Sequence, residues 1–221
     1  MKRYPAKKIA LAAWRGRTNL IGVMFVVLAA CAQPPVPRDQ FWRLDSGQPV
    51  QHFEVPPIDG TVAVERLRAV GLISQRPILF STAEQPNRIE QHSYQYWIEI
   101  PPLMLRDAMI DYMRAANVAA ELVTGDSRRA AGCELSGTLR QMEHVTSGGA
   151  PSLAVVEIEL RLERINDGEA ILHRTYRAEQ TAADLTIEAT VIAFDQALRA
   201  LLARFVDELA SRATACPRPI R

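Results

Sequence analysis

Val156-Glu157-Ile158-Glu159-Leu160-Arg161-Leu162-Glu163 alternates apolar and charged side chains without a break. A period of two over eight residues describes a strand buried on one face and wet on the other, which is the signature of an antiparallel sheet. Glu157, Glu159 and Glu163 then fall on the solvated face rather than forming a paired-carboxylate acid/base site. Asn166-Asp167-Gly168 follows as a hairpin turn. The return strand, about 170–181, places Leu172, Arg174, Tyr176 and Ala178 on one face. Before the alternating stretch, Glu134 to Val145 reads as a long strand ending at the loop Ser147-Gly148-Gly149-Ala150-Pro151. After it, Ile187, Val191, Phe194, Leu198, Leu201, Phe205 and Leu209 step by three and four, which gives one helical stripe over about Leu185–Ala213. Glu188, Asp195, Arg199 and Asp207 lie off that stripe, where Arg199→Ala is expected to stay within about 0.5 kcal/mol.

Upstream, short strands are predicted at 41–46, 61–70 and 78–81. His92-Ser-Tyr-Gln-Tyr-Trp-Ile-Glu-Ile100 is aromatic and β-branched, a strong strand signal. Pro101-Pro102 stops it and suits a first helical turn. Leu105, Ala108, Met109, Tyr112, Met113 and Ala116 then mark a helical face, with Met104, Met109 and Met113 read as core rather than as an adaptable groove. A short strand at 119–123 and a polar loop at 124–132 separate the halves. The expected fold is α+β: one antiparallel-rich mixed sheet with two amphipathic helices packed on it, over residues 41–213, followed by a tail at 214–221.

Charge is distributed unevenly. The 221 residues hold 26 basic and 25 acidic side chains, but residues 1–30 contain six basic and no acidic ones, so residues 31–221 carry −5. All three lysines fall within the first eight residues. The body therefore has no lysine for a Schiff base or a phosphate-binding P-loop. Its acidity argues against a nucleic-acid partner.

Residues 1–30 read as a secretory signal: a basic start, an uncharged run Leu20–Leu28, then small residues before Cys31. The run is too short for a hydrocarbon core of ~30 Å. Leu28-Ala29-Ala30-Cys31 resembles a bacterial lipobox, which implies a thioether-linked diacylglycerol on Cys31, cleavage before it and acylation of the new amine. Two or three chains anchor a protein stably where one does not. Ala32, where aspartate would retain the protein, implies the outer membrane and its periplasmic face. Three prolines in Pro34-Pro35-Val36-Pro37 favour a stiff extended tether over 31–40. Cys133 and Cys216 remain as an even pair, either bridged or two free thiols, and an oxidising compartment favours the bridge.

Catalytic signatures are missing. His52, His92, His144 and His173 are scattered, no His-Glu-x-x-His or Gly-x-Ser-x-Gly occurs, and Ser147 matches nothing specific. No catalytic residue, metal or cofactor is assigned.

Phe41-Trp42-Arg43-Leu44-Asp45, Val62-Ala63-Val64, Gly71-Leu72-Ile73 through Ile78-Leu79-Phe80, and Tyr94-Gln95-Tyr96-Trp97 through Pro101-Pro102, Leu105 and Met109 resemble the auxiliary lipoproteins of ABC-type transport systems, which accompany MCE-domain lipid transporters. Ile100 and the Cys133/Cys216 pair depart from the family's usual pattern. The resemblance implies a non-catalytic part in lipid movement between inner and outer membranes. It implies as partners an MCE-domain periplasmic protein and the ABC permease and ATPase of the same system, with phospholipid as a candidate ligand and a homo-oligomer as a compatible state. Two other classes remain: a structural or assembly lipoprotein that binds peptidoglycan or outer-membrane machinery, and a lipoprotein hydrolase.

Overall fold

The computed structural model describes residues 36–212 and 214–216. Cys31, the segment 1–30 read as a signal and the start of the expected tether lie outside the described residues. Among the described residues the body is α+β, a nine-stranded mixed sheet with two α-helices against one face.

Its spine is the meander β6 (Cys133–Ser147), β7 (Ala150–Arg164) and β8 (Ala170–Thr181). Both pairs are antiparallel, and Ile158 sits between Leu139 on β6 and Tyr176 on β8. The alternation of β7 sorts the sheet as its pattern predicts. Val156, Ile158, Leu160 and Leu162 are buried in the core, while Glu157, Glu159 and Glu163 face the other way.

The second edge of β6 is shared by two strands in single file. β2 (Ile58–Val64) runs parallel to the start of β6, and β3 (Pro77–Thr82) runs parallel to its end. Between them the chain stays bonded to β6 as far as Arg68, whose N–H donates to Gly137 O and whose carbonyl accepts from Leu139 N. It then leaves the sheet through a 3₁₀ turn, Gly71–Ser74. Leu67 packs inward at this point, against Gly137. A Cβ on Gly137 would lie 2.9 Å from Leu67 Cδ2 and 2.5 Å from Glu159 O, so only glycine admits the approach.

Outside this file lie β4 (Gln85–Trp97), antiparallel to β3, and β5 (Ala119–Thr124), parallel to β2. β1 (Gln40–Trp42) adds to the end of β4 in parallel. β4 starts seven residues earlier than its aromatic stretch suggests. Gln85–Gln91 is a polar hairpin arm whose outer edge β1 does not reach, so it carries no apolar alternation. β1 is shorter than the sequence suggests, because the chain turns at Leu44–Ser46 to meet the second helix.

α1 (Pro101–Ala115) and α2 (Ile187–Ala210) cover the apolar face. Pro101 and Pro102 open α1 where their missing N–H groups cost nothing. Thr186 caps α2, its hydroxyl accepting from Ala189 N. The predicted stripe of α2 is buried from Val191 to Leu209, and Ile187 is partly buried against it. Phe194 meets Trp97 edge-on at 5.5 Å between centroids, and Phe205 meets Tyr176 at 5.6 Å. Met104, Met109 and Met113 lie in the same core.

After α2 the sheet gains β9 (Thr214–Cys216), within the stretch read from sequence as a tail. It lies parallel to β2 at Ile58–Gly60, end to end with β6 at Val62–Val64. Cys216 and Cys133 thus stand on consecutive stretches of one β2 edge, and they are joined by a disulfide with Cα atoms 5.2 Å apart. Gly60 has φ +118°, and a Cβ there would lie 2.0 Å from Cys216 O, so β9 docks only on glycine.

Candidate functional site

The four histidines part company in three dimensions. His52 sits on the loop after β1 and bonds Ala115 O through Nδ1 at 2.8 Å. His173 on β8 bonds Glu159 at 2.7 Å. His92 and His144 come together from β4 and β6, with Phe80 of the intervening β3 packed on both. Their Nε2 atoms are 2.7 Å apart, so one must donate and the other accept. No sequence signal announces this pair, because contact depends on β3 lying between the two strands. Burial, and secondarily the charge His92 would carry, pull the His144 pKa down to about 4. Burial lowers that of His92 as well. Two neutral rings fill this end of the core.

Among the described residues no three His, Cys, Asp or Glu side chains are grouped to hold a metal ion. Ser147 is exposed at the end of β6. The buried serine nearest this cluster in sequence, Ser81, donates to Glu143 rather than to a histidine.

The glutamates of β7 form a paired surface. Glu157 meets Arg177 at 3.0 Å and Glu163 meets Arg161 at 2.7 Å. Glu159 accepts from His173 and Arg140, and those hydrogen bonds hold its pKa low. An acid/base pair needs one carboxyl kept protonated at working pH. Here Glu159 is held in its charged form by His173 and Arg140, and Glu157 and Glu163 are each spent on an ion pair with an arginine.

On the helical side, a groove of about 540 Å³ runs between α1 and the segment Arg43–Gln48. Leu44, Met104 and Ala108 are among its apolar lining, and Asp45, Glu99, Asp107 and Asp111 also border it. Its outer wall is latched to α2. Asp195 accepts from Asp45 N at 2.8 Å, and Arg199 Nε donates to Ser46 O at 3.1 Å. Burial pushes the Asp195 pKa up to about 6. Arg199, read from its off-stripe position as dispensable, is a tie between α2 and the segment that follows β1. Helical periodicity reports which side faces the sheet, not which side a distant loop crosses.

This fold, with its lipobox-like start and its arginine-paired outer face, has relatives. The family described as the ABC-type transport auxiliary lipoprotein component matches residues 45–206. The chain belongs to that family. The match spans the interrupted strand β2–β3, the meander, α1 and nearly all of α2. A crystal structure of a Xanthomonas campestris protein aligns with TM-score 0.67 at 17% identity, over 78% of this chain and 96% of that one. A second, of an uncharacterized protein, aligns with TM-score 0.60 at 11% identity, over 78% and 99%. At these identities the likeness is one of fold. No curated protein matches the sequence. Family membership makes the chain an auxiliary lipoprotein associated with an ABC-type transport system.

Proposed function

We propose that the protein is a non-catalytic outer-membrane component of an MCE-linked ABC system that moves lipid between the inner and outer membranes. On this reading residues 1–30 are removed and Cys31 carries the acyl chains. Residues 31–40 tether the body 41–213 to the periplasmic face. The Cys133–Cys216 bridge closes the C-terminal strand onto the sheet in the oxidising periplasm. An inner-membrane ATPase and permease supply the energy, an MCE-domain protein crosses the periplasm, and this lipoprotein seats its far end.

The observation that carries the reading is the family match over 45–206, supported by the lipobox-like Leu28-Ala29-Ala30-Cys31. A scaffold role also suits a body whose outer-face glutamates on β7 are spent on ion pairs and whose two clustered histidines share one hydrogen bond. The test is affinity purification of the membrane-extracted protein from its native host, with mass spectrometry of its N-terminus and of what accompanies it. The expected result is a chain that begins at acylated Cys31 and brings down an MCE-domain protein. An intact Met1 in the mature protein overturns the anchor, and enrichment of peptidoglycan-binding proteins in place of MCE proteins overturns the assignment to lipid transport.

A further inference from the structure

The arginines of the body are mostly committed. Arg140 and Arg177 bind the outer-face glutamates, Arg164 binds Asp167 and Glu169, and Arg174 and Arg212 share Glu208. Arg66 and Arg68 are different. Among the described residues their side chains make no hydrogen bond or ion pair. They stand two residues apart on extended chain, which puts both on one side, about 6.6 Å apart along the backbone. That backbone is fixed: Glu65 N–H donates to Leu135 O, and Arg68 bonds β6 in both directions. Leu67 between them is buried.

Both arginines border a groove of about 320 Å³ whose other walls include Leu67, Val70, Ile100 and Pro102. The three other grooves described for this body each carry carboxylates, whereas this one carries none. Glu65, Glu134 and Glu163 lie in the neighbouring groove on the far side of the same two arginines, where Arg161 accompanies them. The 3₁₀ turn that interrupts the β2–β3 file brings two large apolar side chains to the surface beside the groove. Val70 is 87% exposed and Leu72 41%. Ser74 is no rival for the arginines, because its hydroxyl donates to Gly71 O.

We infer that Arg66 and Arg68 form a binding site for the phosphate of an anionic phospholipid, with the exposed Val70–Leu72 turn and the Ile100–Pro102 start of α1 receiving the first carbons of its chains. A guanidinium binds phosphate through two parallel N–H donors, and two such forks on a rigid strand meet a phosphodiester without reorganising the backbone. The apolar turn supplies what a free phosphate does not need. Two unpaired cations beside exposed valine and leucine match an amphiphile with one anionic end. The inference rests on the proposed lipid-transport role only in choosing phospholipid over inorganic phosphate as the source of that anion.

Native mass spectrometry of the full-length protein in a maltoside detergent tests it. Dihexanoyl phosphatidylglycerol, inorganic phosphate and a hexaglutamate peptide are titrated separately. The expected result is saturable binding of one phosphatidylglycerol, weakened at least tenfold in the double variant R66Q/R68Q and unchanged in R43Q, with inorganic phosphate at least tenfold weaker than the lipid. Val70→Asp, at an 87% exposed position, sets a carboxylate beside the arginines and should weaken the lipid comparably without touching the core. Absence of saturable lipid binding, full binding by R66Q/R68Q and V70D, or phosphate binding as tight as lipid each overturns the inference. So does arginine-dependent binding of hexaglutamate, which would mark the site as a protein-docking surface. Recovery of the MCE partner is read separately, so loss of lipid binding with the partner retained refutes this site and leaves the functional reading standing.

Discussion

His92 and His144, fifty-two residues apart in sequence, meet with nearly parallel rings, 7° between planes, and Nε2 atoms 2.7 Å apart. In the neutral pair one shared hydrogen bond satisfies both Nε2 atoms, while His144 Nδ1 is buried with no partner among the described residues. A second proton has nowhere favourable to go. The His144 pKa is lowered from 6.5 to about 4 in the folded chain. Between those values the unfolded chain binds a proton that the folded chain refuses, so stability falls as pH drops through that window. A shift of this size corresponds to at most ~3 kcal/mol. His144→Gln keeps a polar group beside His92 and removes the titration. Urea unfolding at pH 7 and pH 4.5 should show a clearly smaller acid loss in H144Q than in wild type.

Asp195 works in the opposite direction. Its carboxyl is raised to about 6 by burial, against 3.8 for the free side chain. The folded chain therefore binds a proton at pH 5 that the unfolded chain has released, and this group's contribution declines as pH rises through 6. Asp195→Asn retains an oxygen to accept from Asp45 N and removes the desolvated charge. D195N should stabilise the protein at pH 7 and lose that advantage by pH 5, read as the difference in melting midpoint at the two values. A midpoint at pH 7 below that of wild type would show the charge itself to be what holds Asp45.

These two groups mark where sequence legibility stops. Val156–Glu163 dictates its own facing because its period of two is unbroken, and the α2 stripe does the same at a helical period. Asn166-Asp167-Gly168 fixes the turn that follows β7. What such patterns omit is which strands become neighbours. β2 and β3 share one edge of β6 because the Gly71–Ser74 turn replaces a ladder rung, and that arrangement alone places Phe80 between His92 and His144. β9 reads as tail because three residues carry no period. Arg66 and Arg68 look like any solvated pair until the partners of the other arginines are known.

Gly137 shows the same dependence on neighbours. A Cβ there would stand 2.5 Å from the backbone oxygen of Glu159 on β7. Backbone paired across a central ladder cannot retreat as a flexible side-chain tip can. Gly137→Ala should therefore cost about 1–3 kcal/mol, the range of an overpacked core. It should also loosen the Arg66–Arg68 segment, whose Leu67 abuts the same point. Thermal unfolding checks the first effect and amide exchange at Arg68 and Leu139 the second.

Arg199→Ala tests the latch on the Arg43–Gln48 segment. The guanidinium donates to Ser46 O and lies over Gly47, where an added Cβ would come within 2.0 Å of it. Hydrogen bonds from charged groups contribute about 1.5–3 kcal/mol when partly shielded. A loss of about 1–2 kcal/mol is expected, well beyond a solvated surface position. Phe194→Ala, in the core against Trp97, should cost about 3–5 kcal/mol by leaving a cavity. Equal shifts for the two variants would mean that the tie is as deep as the core.

The Cys133–Cys216 bridge spans a sequence separation of 83. Chain-entropy reasoning gives ~4–5 kcal/mol for constraining an unfolded loop of that size, an upper figure because native strain subtracts from it. The bridge also has a local consequence. β9 is three residues long and among the described residues pairs only with Ile58–Gly60, too short a ladder to persist alone. Its docking rests on the sulfur link and on Gly60, which leaves room for Cys216 O. Reduction should therefore release β9 before the rest unfolds, while β6–β8 and both helices stay folded on their own core. Non-reducing peptide mapping of protein made in the periplasm should recover one cross-linked peptide containing both cysteines. Hydrogen exchange after reduction should then show lost protection confined at first to Ile58–Gly60 and Thr214–Cys216. Alkylation of both thiols without prior reductant rules the bridge out, and protection lost uniformly across the sheet on reduction would show that β9 is part of the cooperative core.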